Sequence, residues 1–170
     1  STMEHVAIAR KLKKGIVVGT TGISQEDNNA IKQAALVIPV VISPNMSVGV
    51  NLLFKLCQDA ARILPKEYKI SIREVHHIHK KDSPSGTARR LADVAASERG
   101  ISSGEIPIES IREGEVVGDH KVIFDSEVEK IEIFHNAKTR DAFAEGAIKA
   151  AKFLAGKKSG LFTMKDVLAL

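Results

Sequence analysis

The sequence predicts an α/β segment, a remnant of a doubly wound parallel sheet, followed by an α+β domain with a small mixed sheet. In the first segment, short apolar runs of the kind found in buried strands alternate with helical stretches, and the connections between them are brief. Beyond Pro65 the pattern changes, and the run Lys69–Val75 alternates as a strand. We therefore place the boundary near Asn45–Ser47.

The segment before this boundary predicts the order helix, strand, helix, strand. Gly15 ends the first helix, and Ser24 caps the second with Asp27 three residues later. Both predicted strands are short apolar runs that end in polar turns. The predicted elements are a helix over 3–14, a strand over 16–19, a helix over 24–37 and a strand over 40–42.

The remainder of the chain predicts a longer helix and then mixed elements. Apolar residues recur at helical spacing up to Leu64, and Pro65 ends that helix. Ser83, Ser85 or Thr87 can open the next helix. The predicted elements are helices over 47–64, 84–98 and 140–154, strands over 69–75, 107–112, 120–125 and 128–135, and a short tail to 170.

Composition argues against several classes of function. The net charge is only +4, with 21 acidic residues among the 25 basic ones, and the chain has six Phe, one Tyr and no Trp. Nucleic-acid binding favours a concentrated basic face with aromatic stacking platforms, so we expect no nucleic-acid partner. A small anionic substrate needs only a few well-placed cations, so the charge balance fits such a substrate better than it fits a nucleic acid.

The sequence also predicts a cytoplasmic protein. No apolar run approaches the roughly 20 residues of a membrane-spanning helix, and the first residues lack signal-peptide character. The single cysteine, Cys57, cannot form an internal disulfide, which suits a reducing compartment. Because Cys57 lies in an apolar stretch, we expect it to be buried.

The segment Glu74–Thr87 carries the most chemistry. Three of the six histidines (His76, His77 and His79) fall within four positions at the exit of a predicted strand, and Lys80 follows them. Histidine exchanges protons near neutral pH, and lysine supplies a compact positive charge. Ser85-Gly86-Thr87 at a helix start offers N–H groups, hydroxyls and the positive end of a helix dipole, which together suit an anion.

Two other interpretations of this segment remain open. The histidines could bind a metal, although adjacent side chains on a strand point to opposite faces and no cysteine lies near them. They could also be surface histidines beside an ordinary helix cap. We predict no metal site, because the combination of residues fits proton transfer and anion binding better than either alternative.

The run Glu74–Ala88 resembles the signature of the dihydrodipicolinate reductase family, Glu-x-His-His-x-x-Lys-x-Asp-x-Pro-Ser-Gly-Thr-Ala, at every fixed position. Shorter similarities extend the resemblance to essentially the whole chain. They are Gly19–Gly22, Asn45–Asn51, Arg112–Gly114, Val117–His120 and Ser159–Leu168.

The resemblance implies an enzyme that reduces 4-hydroxy-tetrahydrodipicolinate or dihydrodipicolinate to tetrahydrodipicolinate in lysine (diaminopimelate) biosynthesis. It implies NADH or NADPH as cofactor, a cytoplasmic location and a homotetramer. Residues 1–46 would be the C-terminal part of a Rossmann-like nucleotide-binding domain. Residues 47–155 would bind substrate and form the tetramer, and residues 156–170 would return to the first domain.

The resemblance also implies roles for individual residues. His76 would be the general acid, and Lys80 would bind a substrate carboxylate or act as a second proton source. The other carboxylate contacts would come from His77, Ser85, Gly86 and Thr87. The residues expected beside the nicotinamide are Gly19, Thr20, Thr21, Ser43, Pro44, Asn45 and Met46.

One departure from the family pattern concerns the cofactor. The opening strand and glycine-rich turn that bind the pyrophosphate in this family have no counterpart here, so we expect this chain alone not to catalyse the reduction. One alternative is a non-catalytic fragment that binds a dicarboxylate or forms oligomers. A metal-dependent hydrolase that uses the histidine cluster is the other.

Overall fold

The computed structural model describes all 170 residues and divides into two compact units. The first unit comprises Ser1–Asn51 and Asp141–Leu170, and the second comprises Leu52–Arg140. In chain order the elements are α1 (Thr2–Lys11), β1 (Ile16–Val18), α2 (Gln25–Ala35), β2 (Pro39–Ile42), α3 (Val48–Ile63), β3 (Lys69–His76), α4 (Gly86–Arg99), β4 (Ile108–Arg112), β5 (Asp119–Asp125), β6 (Lys130–Asn136), α5 (Asp141–Leu154), β7 (Gly160–Phe162) and α6 (Met164–Leu168).

The first unit contains a three-stranded parallel sheet in the order β1-β2-β7. Val40 and Val41, adjacent on the central strand, are both fully buried, because side chains that point to opposite faces meet different helices. On one face Val40 packs with Ile31 of α2 and Val6 of α1. On the other face Val41 packs with Ala150 of α5 and Met164 of α6. Coverage of both faces confirms the predicted α/β class.

The tail, to which the sequence pattern assigned no helix or strand, contains β7 and α6. Helix α5 belongs to the first compact unit, whereas the predicted domain 47–155 included it. A Cβ on Gly146 of α5 would lie 1.8 Å from the carbonyl oxygen of Met46. The missing side chain therefore lets α5 approach the backbone that follows β2.

The second unit contains a mixed four-stranded sheet in the order β4-β3-β5-β6. Strand β3 pairs parallel with β4 and antiparallel with β5, and β6 pairs antiparallel with β5. Helix α4 covers one face, where Ile72, Val122 and Phe124 are buried with Leu91. These observations confirm the predicted small mixed sheet, and the predicted strand and helix boundaries differ from the observed ones by only a few residues.

Cys57 is a packing residue, as predicted. It is fully buried, and its Sγ lies 3.8 Å from the carbonyl oxygen of Leu91. Burial raises the pKa of the Cys57 thiol to about 12, so the reactive thiolate is not formed near neutral pH.

The longest helix, α3, has 16 residues, and no helix is both long and apolar enough to cross a bilayer.

Candidate active site

The carboxylate of Glu74, near the end of β3, is the centre of a buried polar cluster. Glu74 is fully buried. Arg112 at the end of β4 donates two hydrogen bonds to it, from Nη2 to Oε1 at 3.0 Å and from Nη1 to Oε2 at 3.1 Å. The Ser85 backbone N–H donates to Oε1 at 3.1 Å, and His76 Nδ1 hydrogen bonds to Oε2. Four donors thus satisfy one carboxylate.

Opposing effects act on the pKa of Glu74. Burial alone would raise it, because a charged carboxylate loses hydration. The hydrogen bonds from Arg112, His76 and the Ser85 backbone together outweigh burial and hold the Glu74 pKa below its ordinary value. Glu74 is therefore an anion at neutral pH.

The ionised Glu74 fixes the tautomer of His76. Because a carboxylate only accepts hydrogen bonds, His76 carries its proton on Nδ1 and leaves Nε2 as the atom available for chemistry. A Cβ on Gly118 would lie 3.0 Å from His76 Nε2, so the glycine leaves room for this ring. Burial lowers the pKa of His76, Glu74 opposes this shift, and the nearby Lys80 and Arg112 charges reinforce it. The His76 imidazole is neutral at neutral pH.

A second buried histidine, His120 on β5, packs against the first. The rings of His76 and His120 meet edge to face, with centroids 5.0 Å apart. His120 Nε2 lies 3.1 Å from Ser85 Oγ, and its Nδ1 has no hydrogen-bond partner. Burial and the neighbouring His76 lower the pKa of His120 to about 3, so this ring stays neutral in the folded protein.

The first turn of α4 lies beside this cluster. Ser85 is its N-cap, and its Oγ accepts a hydrogen bond from the Ala88 backbone N–H at 3.1 Å. Both the Oγ and the N–H of Ser85 are therefore used within the protein. Gly86, the first residue of α4, is exposed, and a Cβ there would meet no atom within 4 Å. An anion has open access to this end of the helix.

The loop after β3 carries Lys80 and its neighbours. Lys80 Nζ donates to Asp82 Oδ1 at 2.7 Å, and the Asp82 carbonyl accepts from Arg112 Nη2 at 2.6 Å. His77 is half-buried, and its Nδ1 has no partner. The His79 side chain is 70% exposed, with its Nε2 3.5 Å from a Glu115 oxygen. The structure thus separates His76, which is buried in the cluster, from the rings of His77 and His79, whose centroids lie 6.1 Å apart.

No three His, Cys, Asp or Glu side chains come together in an arrangement that could hold a metal ion.

The residues predicted beside the nicotinamide lie in the first unit, at the carboxyl ends of β1 and β2. Because these strands are parallel, their following loops meet at one edge of the sheet, where ligands bind in doubly wound sheets. The Ser43 backbone N–H donates to the Val18 carbonyl at 3.1 Å. A Cβ on Gly19 would lie 3.6 Å from Met46 Cε. Thr20 and Thr21 are exposed beside them.

Hydrogen bonds fix the second of these loops. Ser43 Oγ donates to the Asn45 carbonyl at 2.8 Å, and Asn45 Oδ1 accepts from the Ser47 N–H at 2.9 Å. Asn51 Nδ2 donates to the Asn45 carbonyl at 2.9 Å. Pro44 is exposed in the same loop. The structure therefore brings the predicted cofactor residues together in one ordered region.

Sequence reasoning assigned no role to three residues of the buried cluster, Glu74, Arg112 and His120. Each lies within a stretch that carried the family resemblance. Besides this resemblance, the strand pattern itself could have singled out two of them. Glu74 and His120 are polar residues on strands whose alternate residues, such as Ile72 and Val122, are apolar and buried. A charged residue at a core position requires a partner.

Family comparisons agree with this architecture. The family description "Dihydrodipicolinate reductase, N-terminus" matches residues 1–46, and "Dihydrodipicolinate reductase, C-terminus" matches residues 49–168. The chain belongs to the dihydrodipicolinate reductase family. Every fixed position of the predicted family signature thus lies within the matched C-terminal region.

Individual relatives of this reductase family are similar over nearly the whole chain. A 4-hydroxy-tetrahydrodipicolinate reductase of Aromatoleum aromaticum is 47% identical over 99% of the chain and 67% of its own length. The enzyme of the same name from Ralstonia nicotianae is 45% identical over 100% of the chain and 71% of its own length. A dipicolinate-bound dihydrodipicolinate reductase from Paenisporosarcina sp. TG-14 has a TM-score of 0.82 at 25% identity, covering 95% of this chain and 67% of that one.

The geometry predicts a large contribution of Arg112 to stability. The Arg112→Met variant should lose about 3–5 kcal/mol of unfolding free energy, because it leaves the Glu74 carboxylate buried with fewer donors. The matched control is Arg73→Met, which removes an exposed ion pair with Glu109 and should cost at most about 1 kcal/mol. Urea unfolding of both variants at pH 7 measures the difference, and equal losses would contradict the prediction.

The buried His120 predicts a specific loss of stability in acid. Its pKa is about 3 when folded and 6.5 ordinarily, so only the unfolded chain binds this proton between those values. His120 should therefore remove about 2 kcal/mol of stability between pH 6.5 and pH 4.5. In His120→Gln the stability should depend less on pH over this interval, whereas the exposed His79→Gln control should follow the wild type. Urea midpoints across the interval measure this, and parallel curves for wild type and His120→Gln would reject it.

Proposed function

We propose that this chain acts in the reduction of 4-hydroxy-tetrahydrodipicolinate or dihydrodipicolinate to tetrahydrodipicolinate, a step of lysine (diaminopimelate) biosynthesis in the cytoplasm. Family membership supports the reaction. The observation that carries the proposal is the Glu74-oriented His76 imidazole, with Lys80 near enough to affect its pKa, in the signature segment that ends at the open start of α4. A cyclic substrate with two carboxylates requires cations, N–H donors and a proton donor of this kind.

We propose that the substrate carboxylates bind Lys80 and the first turn of α4. The backbone N–H groups of Gly86 and Thr87 lie at the positive end of that helix. A carboxylate would compete with Asp82 for the Lys80 ammonium. His77, whose ring is half-buried in the same segment, is the further candidate contact. Because the polar groups of Ser85 are already engaged, its proposed role is to position the turn.

His76 is the proposed proton donor. Addition of a hydride to ring carbon 4 leaves an enamine whose carbon 3 must accept a proton. His76 Nδ1 is bound to Glu74, so the transferred proton would leave from Nε2. The pKa of His76 is low in the unliganded protein because the ring is buried. Two substrate carboxylates nearby would raise it and favour the protonated form.

A nicotinamide cofactor, NADH or NADPH, would supply the hydride when bound. The loops after β1 and β2 suit its nicotinamide end, because Gly19 leaves space beside Met46 and the loop 43–46 is held rigidly by its own hydrogen bonds. The residues proposed to line this end are Gly19, Thr20, Thr21, Ser43, Pro44, Asn45 and Met46.

Assembly into a homotetramer is proposed from the uncovered face of the second sheet. Register places Val75, Ile111, Ile123 and Phe134 on the face opposite α4. Phe134 is 57% exposed there. The same face also carries charged residues, including Arg73, Lys121 and Glu132. An exposed aromatic residue such as Phe134 within a polar surround is typical of a surface that a second subunit covers.

Separate substitutions of two histidines test the proposed proton donor. The His76→Gln variant should lower kcat by about 10²- to 10⁴-fold with a much smaller change in KM, because a general acid acts in the transition state. His79→Gln removes an exposed ring from the same segment and should change kcat little. The measurement is the steady-state oxidation of NADH or NADPH with dihydrodipicolinate. It is made on a preparation whose unsubstituted form is active. Equal losses in the two variants would exclude the assignment of His76.

Binding of pyridine-2,6-dicarboxylate tests the anion contacts independently of turnover. The Lys80→Ala variant should bind it about 1.5–3 kcal/mol more weakly, the range for a hydrogen bond to a charged group. The matched control is Lys81→Ala, which alters an exposed neighbour and should leave the affinity nearly unchanged. Calorimetry measures the affinities of the wild type and of both variants. Equal affinity of wild type and Lys80→Ala would rule out this placement.

Light scattering tests the proposed assembly. The wild-type chain should have a mass four times its 18.4 kDa at micromolar concentration. The Phe134→Lys variant should shift this mass downward, because it replaces an exposed aromatic residue of the proposed interface with a charge. Val128→Lys is the control, since Val128 is 90% exposed in the turn between β5 and β6. A wild-type species of 18.4 kDa would show that the sheet face is not an interface.

A further inference from the structure

A second concave site lies in the second unit, at the opposite end of the sheet and of α4 from the candidate active site. This pocket of about 500 Å³ is formed by the start of β3, the end of α4 and the segment before β4. Such a volume falls within the range of about 300–1,000 Å³ that small-molecule sites occupy. Its lining includes three cationic residues, Lys66, Lys69 and Arg99, and the apolar side chains of Ile70, Ile101 and Ile106.

The guanidinium group of Arg99 is anchored but incompletely satisfied. Its Nη1 donates to the Pro65 carbonyl at 2.8 Å, which fixes the side chain between the end of α3 and the end of α4. Its Nε and Nη2 are covered by protein and have no hydrogen-bond partner. Because covered, unpaired donors of a charged group are costly, a neighbouring negative charge would stabilise this arrangement.

The charges around the pocket are unbalanced. Lys66, Lys69 and Arg99 take part in none of the ion pairs of the chain. The acidic residue in the lining, Glu105, already accepts a hydrogen bond from the Ser102 N–H at 2.8 Å.

Two further negative groups lie near this lining. The carboxyl end of α4 contributes roughly half a negative charge. Glu129 accepts a hydrogen bond from the hydroxyl of Tyr68, another lining residue. Within the lining itself three cations face one carboxylate, so the pocket favours an anion.

We propose that this pocket binds a small organic anion, with a carboxylate or phosphate directed at Lys66 and Lys69 and an apolar body against the isoleucines. The site is separate from the candidate active site, because β3 runs from Ile70 at the pocket to His76, a span of about 20 Å. Arg99 would contribute its charge from behind the lining. The inference does not depend on the proposed reaction.

The probes are 2-naphthoate, which joins one carboxylate to an apolar body, and its neutral amide, 2-naphthamide. Protein labelled at the isoleucine δ1-methyl groups reports the place of binding. Methyl resonances of Ile70, Ile101 and Ile106 should shift with naphthoate, and the shifts should persist when pyridine-2,6-dicarboxylate is present in excess. Ile78, which is 59% exposed in the loop next to His77, reports binding near the candidate active site.

Charge-removing variants distinguish a built site from adventitious binding. The Lys66→Gln/Lys69→Gln double variant should bind 2-naphthoate at least about tenfold more weakly, since each cation contributes a charge-assisted contact. Lys149→Gln alters an exposed lysine of α5, which belongs to the first unit, and should bind like the wild type. The amide should bind at least about tenfold more weakly than the acid. None of these variants alters Arg99 or its hydrogen bond to the Pro65 carbonyl.

Three results would overturn the inference. They are the absence of shifts at Ile70, Ile101 and Ile106 at millimolar naphthoate, equal affinity of the double variant and the wild type, and equal affinity for acid and amide. Shifts confined to Ile78 would also overturn it, because they would place the anion in the loop of the candidate active site.

Discussion

Burial of the Glu74 carboxylate is the constraint on which the second unit depends. An ion removed from water loses several kcal/mol of hydration, and only a complete set of donors makes its burial tolerable. Arg112, His76 and the Ser85 backbone supply that set. They come from the end of β4, the end of β3 and the start of α4, so one side chain joins two neighbouring strands and the helix that connects them.

The same contacts that satisfy the hydrogen-bonding groups of Glu74 also orient the groups proposed to act on the substrate. Its negative charge assigns the tautomer of His76, and its bond to the Ser85 N–H places the first turn of α4. Arg112, in turn, holds the loop that carries Lys80 through the Asp82 carbonyl. Stability and the orientation of reactive groups are therefore not separable here: a change that relaxes the ion pair would loosen the proton donor and both proposed anion contacts together.

Much of this architecture could be predicted from local patterns, because helix caps, strand alternation and the run Glu74–Ala88 are continuous in sequence. The role of His120 could not, since it depends on the β3–β5 register that places Glu74 opposite it. Strand β7 was missed because its three residues are too few to show periodicity. The long helical run 140–154 was found, but its partner sheet could not be known, because packing between distant segments leaves no local pattern.

The position of β7 has a consequence for how the chain folds during synthesis. Pro39 of β2 pairs with Gly160 of β7, whereas every strand of the second sheet lies within the continuous segment 69–136. A chain that emerges from the ribosome amino end first can therefore complete the later segment while the earlier one still lacks its third strand. During synthesis the apolar edge of β2 stays uncovered the longest, and an edge of that kind favours pairing with other chains.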